Sequence, residues 1–260
     1  PLFYDYPTIS DGEVTVGKVN PKSGKAVMDT LTFTLELALN KKIDGFVFAP
    51  FNKEAMRLGG SPYHSELDFF KEKFNRPNIP GEVSVLDDLW TTRVTSHVGI
   101  GQVSALITRE NVYNTIRFMD GVLRTFGIQN PRLAVSALNP HAGEGGMFGP
   151  EEQEAIAPAI EMAKREGVSA EGPFPADTIY LRIKKGNYHA VVSMYHDQGQ
   201  IATKLLGFDR GVTVHGGLPV AIATPAQGSA FDIAGQGKAN PEGITRAFLI
   251  ACRLAASLKS

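Results

Sequence analysis

Two spacings of apolar residues alternate along the chain. From Lys25 to Asn40, Val27, Leu31, Phe33, Leu35, Leu37 and Leu39 form a broad apolar face at helical spacing, and Gly45 to Ala49 follows as a short apolar strand. The pairing recurs: a helix from about Asn111 to Phe126 precedes a strand from Leu133 to Leu138, and a helix from Pro150 to Glu166 precedes an extended run from Val168 to Phe174. Trp90 to Thr95 and Ala190 to Met194 read as further strands. His64-Ser65 opens a short helix through Phe70, with Ser65 suited to cap it, and an apolar helix covers Ile244 to Leu258. Helices alternating with nearly all-apolar strands imply an α/β fold whose mostly parallel sheet is covered on both faces. No repeat, charge block or low-complexity linker breaks the pattern, so the chain reads as one unit. The start, Pro1 to Pro7, has neither a cap nor a preceding strand, as expected of a shortened chain.

Composition narrows the function. With 260 residues, 43% hydrophobic, 20% charged and a net charge of -1, a sizeable core is expected and there is no electrostatic case for nucleic acid or an anionic membrane. No apolar stretch approaches the roughly 20 residues needed to span a bilayer, and no signal-like segment opens the chain. The single Cys252 cannot form an intrachain disulfide and is expected as a packed core thiol in its apolar helix, which suits a reducing cytoplasm.

Candidate chemistry lies at the ends of predicted strands. His97, His141 and His196 each follow one, in turns rich in carbonyl, amide and acid groups. Three neutral imidazoles with an open position suit a catalytic divalent ion, although the spacing matches no close-spaced zinc pattern and is equally compatible with three locally satisfied histidines. Near the C-terminus, Gln227 to Pro241 is a loop of small residues containing Gly228, Ser229, Ala230, Asp232, Ile233, Gly235 and Asn240. Such a loop allows close approach to a flat adenine, and its acid can accept ribose hydroxyls. No G-x-G-x-x-G follows a strand, so an ordinary Rossmann domain is disfavoured.

That loop resembles the adenosine-binding loop of the isocitrate and isopropylmalate dehydrogenase-like superfamily. With Asn139 to Gly146, Pro175 to Thr178, and Tyr195 to Gly199 followed by Lys204, nearly the whole chain resembles the 4-hydroxythreonine-4-phosphate dehydrogenase family. The resemblance implies two α/β subdomains flanking a cleft, isopropylmalate dehydrogenase-like, and lacks the family's N-terminal Gly-Asp-Pro-Ala-Gly segment. It implies NAD, one divalent ion (Zn, Mg, Mn or Co) held by His97, His141 and His196, and a cytoplasmic homodimer whose partner supplies one histidine. By the same resemblance the activity is oxidation of a secondary alcohol followed by β-decarboxylation, in pyridoxal phosphate biosynthesis. His64, Ser65 and Lys204 match substrate-contacting positions. Asp177 and Asp197, with Lys204, are the candidate catalytic groups, Asp197 beside rather than on the metal; Asp177 and Glu144 serve equally as local caps.

One departure bears on substrate. Where the family has Asn and Arg in its phosphate-binding half, this chain has Thr213 and Ile222. An isoleucine cannot make the bidentate contact an arginine gives a phosphate. The expectation is poor turnover of 4-hydroxythreonine phosphate, improved by Thr213→Asn with Ile222→Arg, unless Lys204 or a protonated His215 compensates. The alternatives are a dehydrogenase of cis-dihydrodiol aromatic carboxylates, a phosphate acyltransferase-like enzyme and an inactive binding protein.

Overall fold

The computed structural model describes residues 3–259; the predicted ragged start at Pro1 and Leu2 lies outside the described residues. In chain order the elements are α1 (Pro21–Leu39), β1 (Gly45–Val47), α2 (Lys53–Leu58), α3 (Glu66–Lys73), β2 (Val83–Leu86), β3 (Leu89–Arg93), α4 (Ile100–Leu106), α5 (Arg109–Thr125), β4 (Arg132–Ser136), α6 (Ala157–Arg165), β5 (Ser169–Phe174), α7 (Ile179–Lys184), β6 (Ala190–Ser193), α8 (His196–Gly207), β7 (Val212–Val214), β8 (Ala221–Pro225) and α9 (Glu242–Lys259). Local chemistry sets the helix starts: Asn20 Oδ1 accepts from Lys22 N–H at 2.7 Å ahead of Pro21, and Thr108 and Ser65 cap α5 and α3 through their hydroxyls.

The eight strands form one sheet in the order β1-β8-β7-β2-β3-β6-β4-β5. Four of the seven pairings are parallel; β8-β7, β7-β2 and β2-β3 are antiparallel. The antiparallel centre comes from two short hairpins, around Asp87-Asp88 and between Val214 and Ala221, whose strands are too short to stand out as alternation in the sequence.

Strand alternation sends side chains to two unlike faces. One face carries Val83, Val85, Trp90, Val135, Val192, Val212 and Val214, and is sealed in the main apolar cluster with residues of α5, α6 and α9. On the other face two smaller clusters sit apart. One packs Leu31, Leu35, Phe69 and Phe70 on Ile222 and Phe46, and the other packs Ile179 on Leu89, Ala134 and Val191. Between them the sheet presents polar side chains: Thr91, Ser84, Thr213 and Thr224 in one cross-strand row, and beyond them Ser193 level with Arg93, which pairs with Glu82. This polar middle is the floor of the site.

Cys252 departs from expectation: it is exposed. Helix α9 buries Gly243, Ala247, Ala251 and Leu254 at helical spacing, and Cys252 falls just outside that stripe. The helix expected from Pro150 begins instead with a wide π turn over Glu152–Ile156 before α6. Pro158 has no N–H to close a normal turn there, which accounts for the widening.

Candidate active site

Strands β3 and β6 lie side by side and parallel, with Arg93 level with Ser193, so their C-terminal extensions emerge together. Pairing continues beyond the strands: Thr95 donates from its N–H at 3.0 Å and from its hydroxyl at 2.9 Å to the Met194 carbonyl. This brings the His97 and His196 rings to 5.8 Å between centroids, beside a cavity of about 230 Å³ lined also by Tyr195 and Asp197. Asp197 Oδ1 lies 2.7 Å from His196 Nδ1. A carboxylate there holds the proton on Nδ1 and leaves the Nε2 lone pair outward, the arrangement of a metal-binding histidine. Burial and the Lys53 ammonium push the His97 imidazole below its ordinary pKa, keeping it neutral and able to donate a lone pair.

His141 is elsewhere. It is exposed on a left-handed turn in which residues 141–145 all have positive φ, between 43° and 79°. Its ring neighbours Phe148, and among the described residues no three His, Cys, Asp or Glu converge as a metal set. The turn is braced from the π segment: Glu152 Oε1 accepts from the N–H groups of Leu138 at 2.9 Å and Asn139 at 2.8 Å, and Oε2 accepts from Asn139 Nδ2 at 3.0 Å. Gly143 is required against this brace, since a Cβ there would lie 2.6 Å from Glu152 Oε2.

A second cavity, of about 340 Å³, shares His97 with the first and is lined by His64, Ser65, Asp68, Lys71, Glu82 and Arg93. Arg93 is buried, with Nε donating to Ser96 Oγ at 2.6 Å and Nη2 to Glu82 Oε2 at 3.1 Å. Burial pushes Glu82 up, but the positive charges beside it, Arg93 and Lys53 among them, outweigh it and hold the carboxyl below its ordinary value. Arg93 and Glu82 escaped the sequence reading, as did Glu152. The available signal was an arginine in an otherwise buried strand, four residues before His97.

The remaining expected residues separate. Ser65 caps α3 with His64 exposed beside it, while Lys204 is exposed on the α8 stripe that runs from His196 through Gln200. Gln200 Nε2 donates to Ser84 Oγ at 3.0 Å, so this stripe borders the polar floor, which includes Thr213. Ile222 is fully buried among Leu31, Leu35 and Phe70, where it packs and lines neither cavity. His215 is no cation: burial outweighs the pull of Glu82 and Glu66 and pushes its imidazole below the ordinary value. Asp177 is exposed before α7 and has no hydrogen bond or ion pair among the described residues, and Thr178 holds the cap position. In the predicted adenosine loop, Gly228, Ser229, Ala230, Asp232 and Gly235 are exposed and Ile233 half-buried, with a short 3-10 turn at Phe231–Ile233. Asn240 spends its Oδ1 on the Glu242 N–H at 2.9 Å, which leaves only its amide N–H groups for a base.

The family model described as "Pyridoxal phosphate biosynthetic protein PdxA" matches residues 4–251. The chain belongs to the PdxA family. A relative from Pseudomonas aeruginosa, named "Putative 4-hydroxythreonine-4-phosphate dehydrogenase 2", is 46% identical over 98% of this chain and 76% of its own length. Among solved structures, a 4-hydroxythreonine-4-phosphate dehydrogenase from Klebsiella pneumoniae superposes with a TM-score of 0.84 at 34% identity, over 96% of this chain and 76% of that one. A terephthalate 1,2-cis-dihydrodiol dehydrogenase from Burkholderia xenovorans is more distant, with a TM-score of 0.69 at 25% identity over 96% of this chain and 79% of that one. This PdxA-family protein is an oxidoreductase, a dehydrogenase acting on a CH–OH group. Among the described residues, no helix is long and apolar enough to cross a membrane.

Proposed function

We propose that this chain oxidises the secondary alcohol of a phosphorylated hydroxy acid of the 4-hydroxythreonine 4-phosphate type with NAD, and that the resulting β-keto acid loses carbon dioxide. The carrying observation is the pair His97 and His196 on adjacent strand ends, with Asp197 orienting His196, next to a cavity that contains a buried arginine.

These residues fit a divalent ion. Two imidazoles converge within one chain, and the exposed His141 is available to a second copy. The apolar side chains near it and near His97, namely Met147, Phe148, Val98 and Ile100, are exposed and support a homodimer whose sites are shared. When bound, such an ion acidifies the alcohol and polarises the ketone toward decarboxylation. The chain's own contribution is orientation. His64, Ser65 and Lys71 hold the acidic end of the substrate, while Lys204 and Asp177 are the candidate groups for moving the alcohol proton. The exposed loop around Asp232 seats the adenosine of NAD, its carboxylate accepting ribose hydroxyls.

The dihydrodiol reading keeps only the more distant structural likeness and the isoleucine at position 222, and is less supported than the phosphorylated substrate. The test is direct: metal content of the purified protein, and NADH and carbon dioxide release with 4-hydroxythreonine 4-phosphate against a cis-dihydrodiol carboxylate. Turnover of the dihydrodiol alone would reverse the assignment.

A further inference from the structure

We propose that Arg93, fixed by Glu82 and Ser96, recognises the phosphate monoester end of the substrate through the free edge of its guanidinium. This rests on the functional reading above and names the group that selects its substrate.

A guanidinium is costly to bury, and natural structures keep one inside only when it is paired and its donors are used. Arg93 is 6% exposed, yet among the described residues only two of its five N–H groups have partners: Nε on Ser96 and one N–H of Nη2 on Glu82. The other Nη2 N–H and both on Nη1 have none among the described residues. Because Arg93 also lines the 340 Å³ cavity, this unpartnered edge belongs to the cavity wall. Two bonds that fix a planar fork while leaving its outer edge open prepare it for bidentate contact with a tetrahedral oxyanion.

The lining supplies a second cation. The cavity also holds His64, Lys71 and the start of α3, whose Ser65 hydroxyl is already engaged with Asp68 N–H. Glu82 is committed to Arg93, which leaves Asp68 as the other lining carboxylate. His215, whose backbone N–H donates to the Ile222 carbonyl, is neutral and Ile222 is apolar, so neither competes with Arg93 for an anion. His97 borders both cavities, and a short substrate can therefore place its alcohol at the histidine pair and its phosphate at Arg93.

The test uses the full-length, metal-loaded enzyme carrying Arg93→Lys, with inorganic phosphate as an activity-independent probe. Lysine keeps the charge and the Glu82 pair but loses the fork. The KM for 4-hydroxythreonine 4-phosphate should rise about 10–100-fold with kcat within a few-fold, and phosphate affinity should fall by a similar factor. Metal content and NAD affinity should not change. Arg93→Met combined with Glu82→Gln, which leaves no buried charge unpaired, should fold and lose phosphate binding altogether. Unchanged KM and phosphate affinity in Arg93→Lys would overturn the proposal, as would a loss confined to kcat and metal content. If the wild type binds phosphate through Arg93 but turns over no phosphorylated alcohol, the anion site stands and the functional reading fails.

Discussion

Removing Glu152 should loosen the turn that carries His141. The carboxylate accepts two backbone N–H groups and one side-chain amide at 2.8–3.0 Å, and Glu152 itself is only 4% exposed. Beyond it, His141, Ala142 and Glu144 adopt left-handed backbone at φ 53°, 55° and 43°, a conformation that costs non-glycine residues about 1–2 kcal/mol each. In Glu152→Ala the Leu138 and Asn139 N–H groups lose their acceptor, at about 1–3 kcal/mol apiece. Both residues are half-buried and water reaches them in part, so about 2–4 kcal/mol is expected. Glu152→Gln keeps an oxygen for the two backbone donors but turns its own N–H₂ toward Asn139 Nδ2, and should cost about 1 kcal/mol. Urea unfolding of both variants measures the stability loss, and zinc and manganese titrations of the assembled protein measure whether the turn still delivers His141. An alanine variant with the wild-type urea midpoint and metal affinity would refute the claim that Glu152 holds this turn.

Shared sites predict complementation: His141→Ala and His196→Ala should each be inactive, yet co-refolded subunits should recover up to one working site per heterodimer, whereas no recovery would mean that all ligands act within one chain. Binding titrations should favour NAD over NADP by at least about tenfold, because the Asp232 carboxylate repels a 2′-phosphate and no arginine stands in the loop; equal affinities would remove Asp232 from the ribose site. His215 has a folded pKa held below its unfolded value by burial, so its stabilisation is complete above about pH 6.5 and falls as pH drops from there toward the lowered folded value. Glu82, Glu66 and Lys53 are the charges that act on it, and Phe48 and Phe70 flank its ring. In His215→Phe the decline in unfolding free energy between pH 6.5 and 5 should be shallower by up to about 1.4 kcal/mol per pH unit, and identical slopes would contradict a neutral buried imidazole. Cys252, exposed on α9, should react with a thiol reagent in the native protein as readily as in urea.

The sequence by itself determined the elements and the chemistry on offer. Apolar spacing located α1, α5 and β4 to within a few residues because those elements bury a regular stripe, and the ordered residues around His141, His196 and Asp232 carried the family. Strand ends were legible too, since His97 and His196 follow short apolar or β-branched runs that read as strands. Tertiary structure alone decided which of these groups meet. Parallel register between β3 and β6 brings His97 to His196 across a hundred residues, while the left-handed turn at His141 carries the third histidine away to the surface. Glu82 precedes Arg93 by eleven residues and His215 lies far beyond both, and antiparallel pairing of β2 with β3 and β7 brings these stretches side by side. Ile222 looked like a substrate contact by its place in a motif, but its strand faces it into the Leu35 and Phe70 cluster. Periodicity reports which side chains leave water; the register between strands, fixed by long-range hydrogen bonds, decides which polar ones share the space that remains.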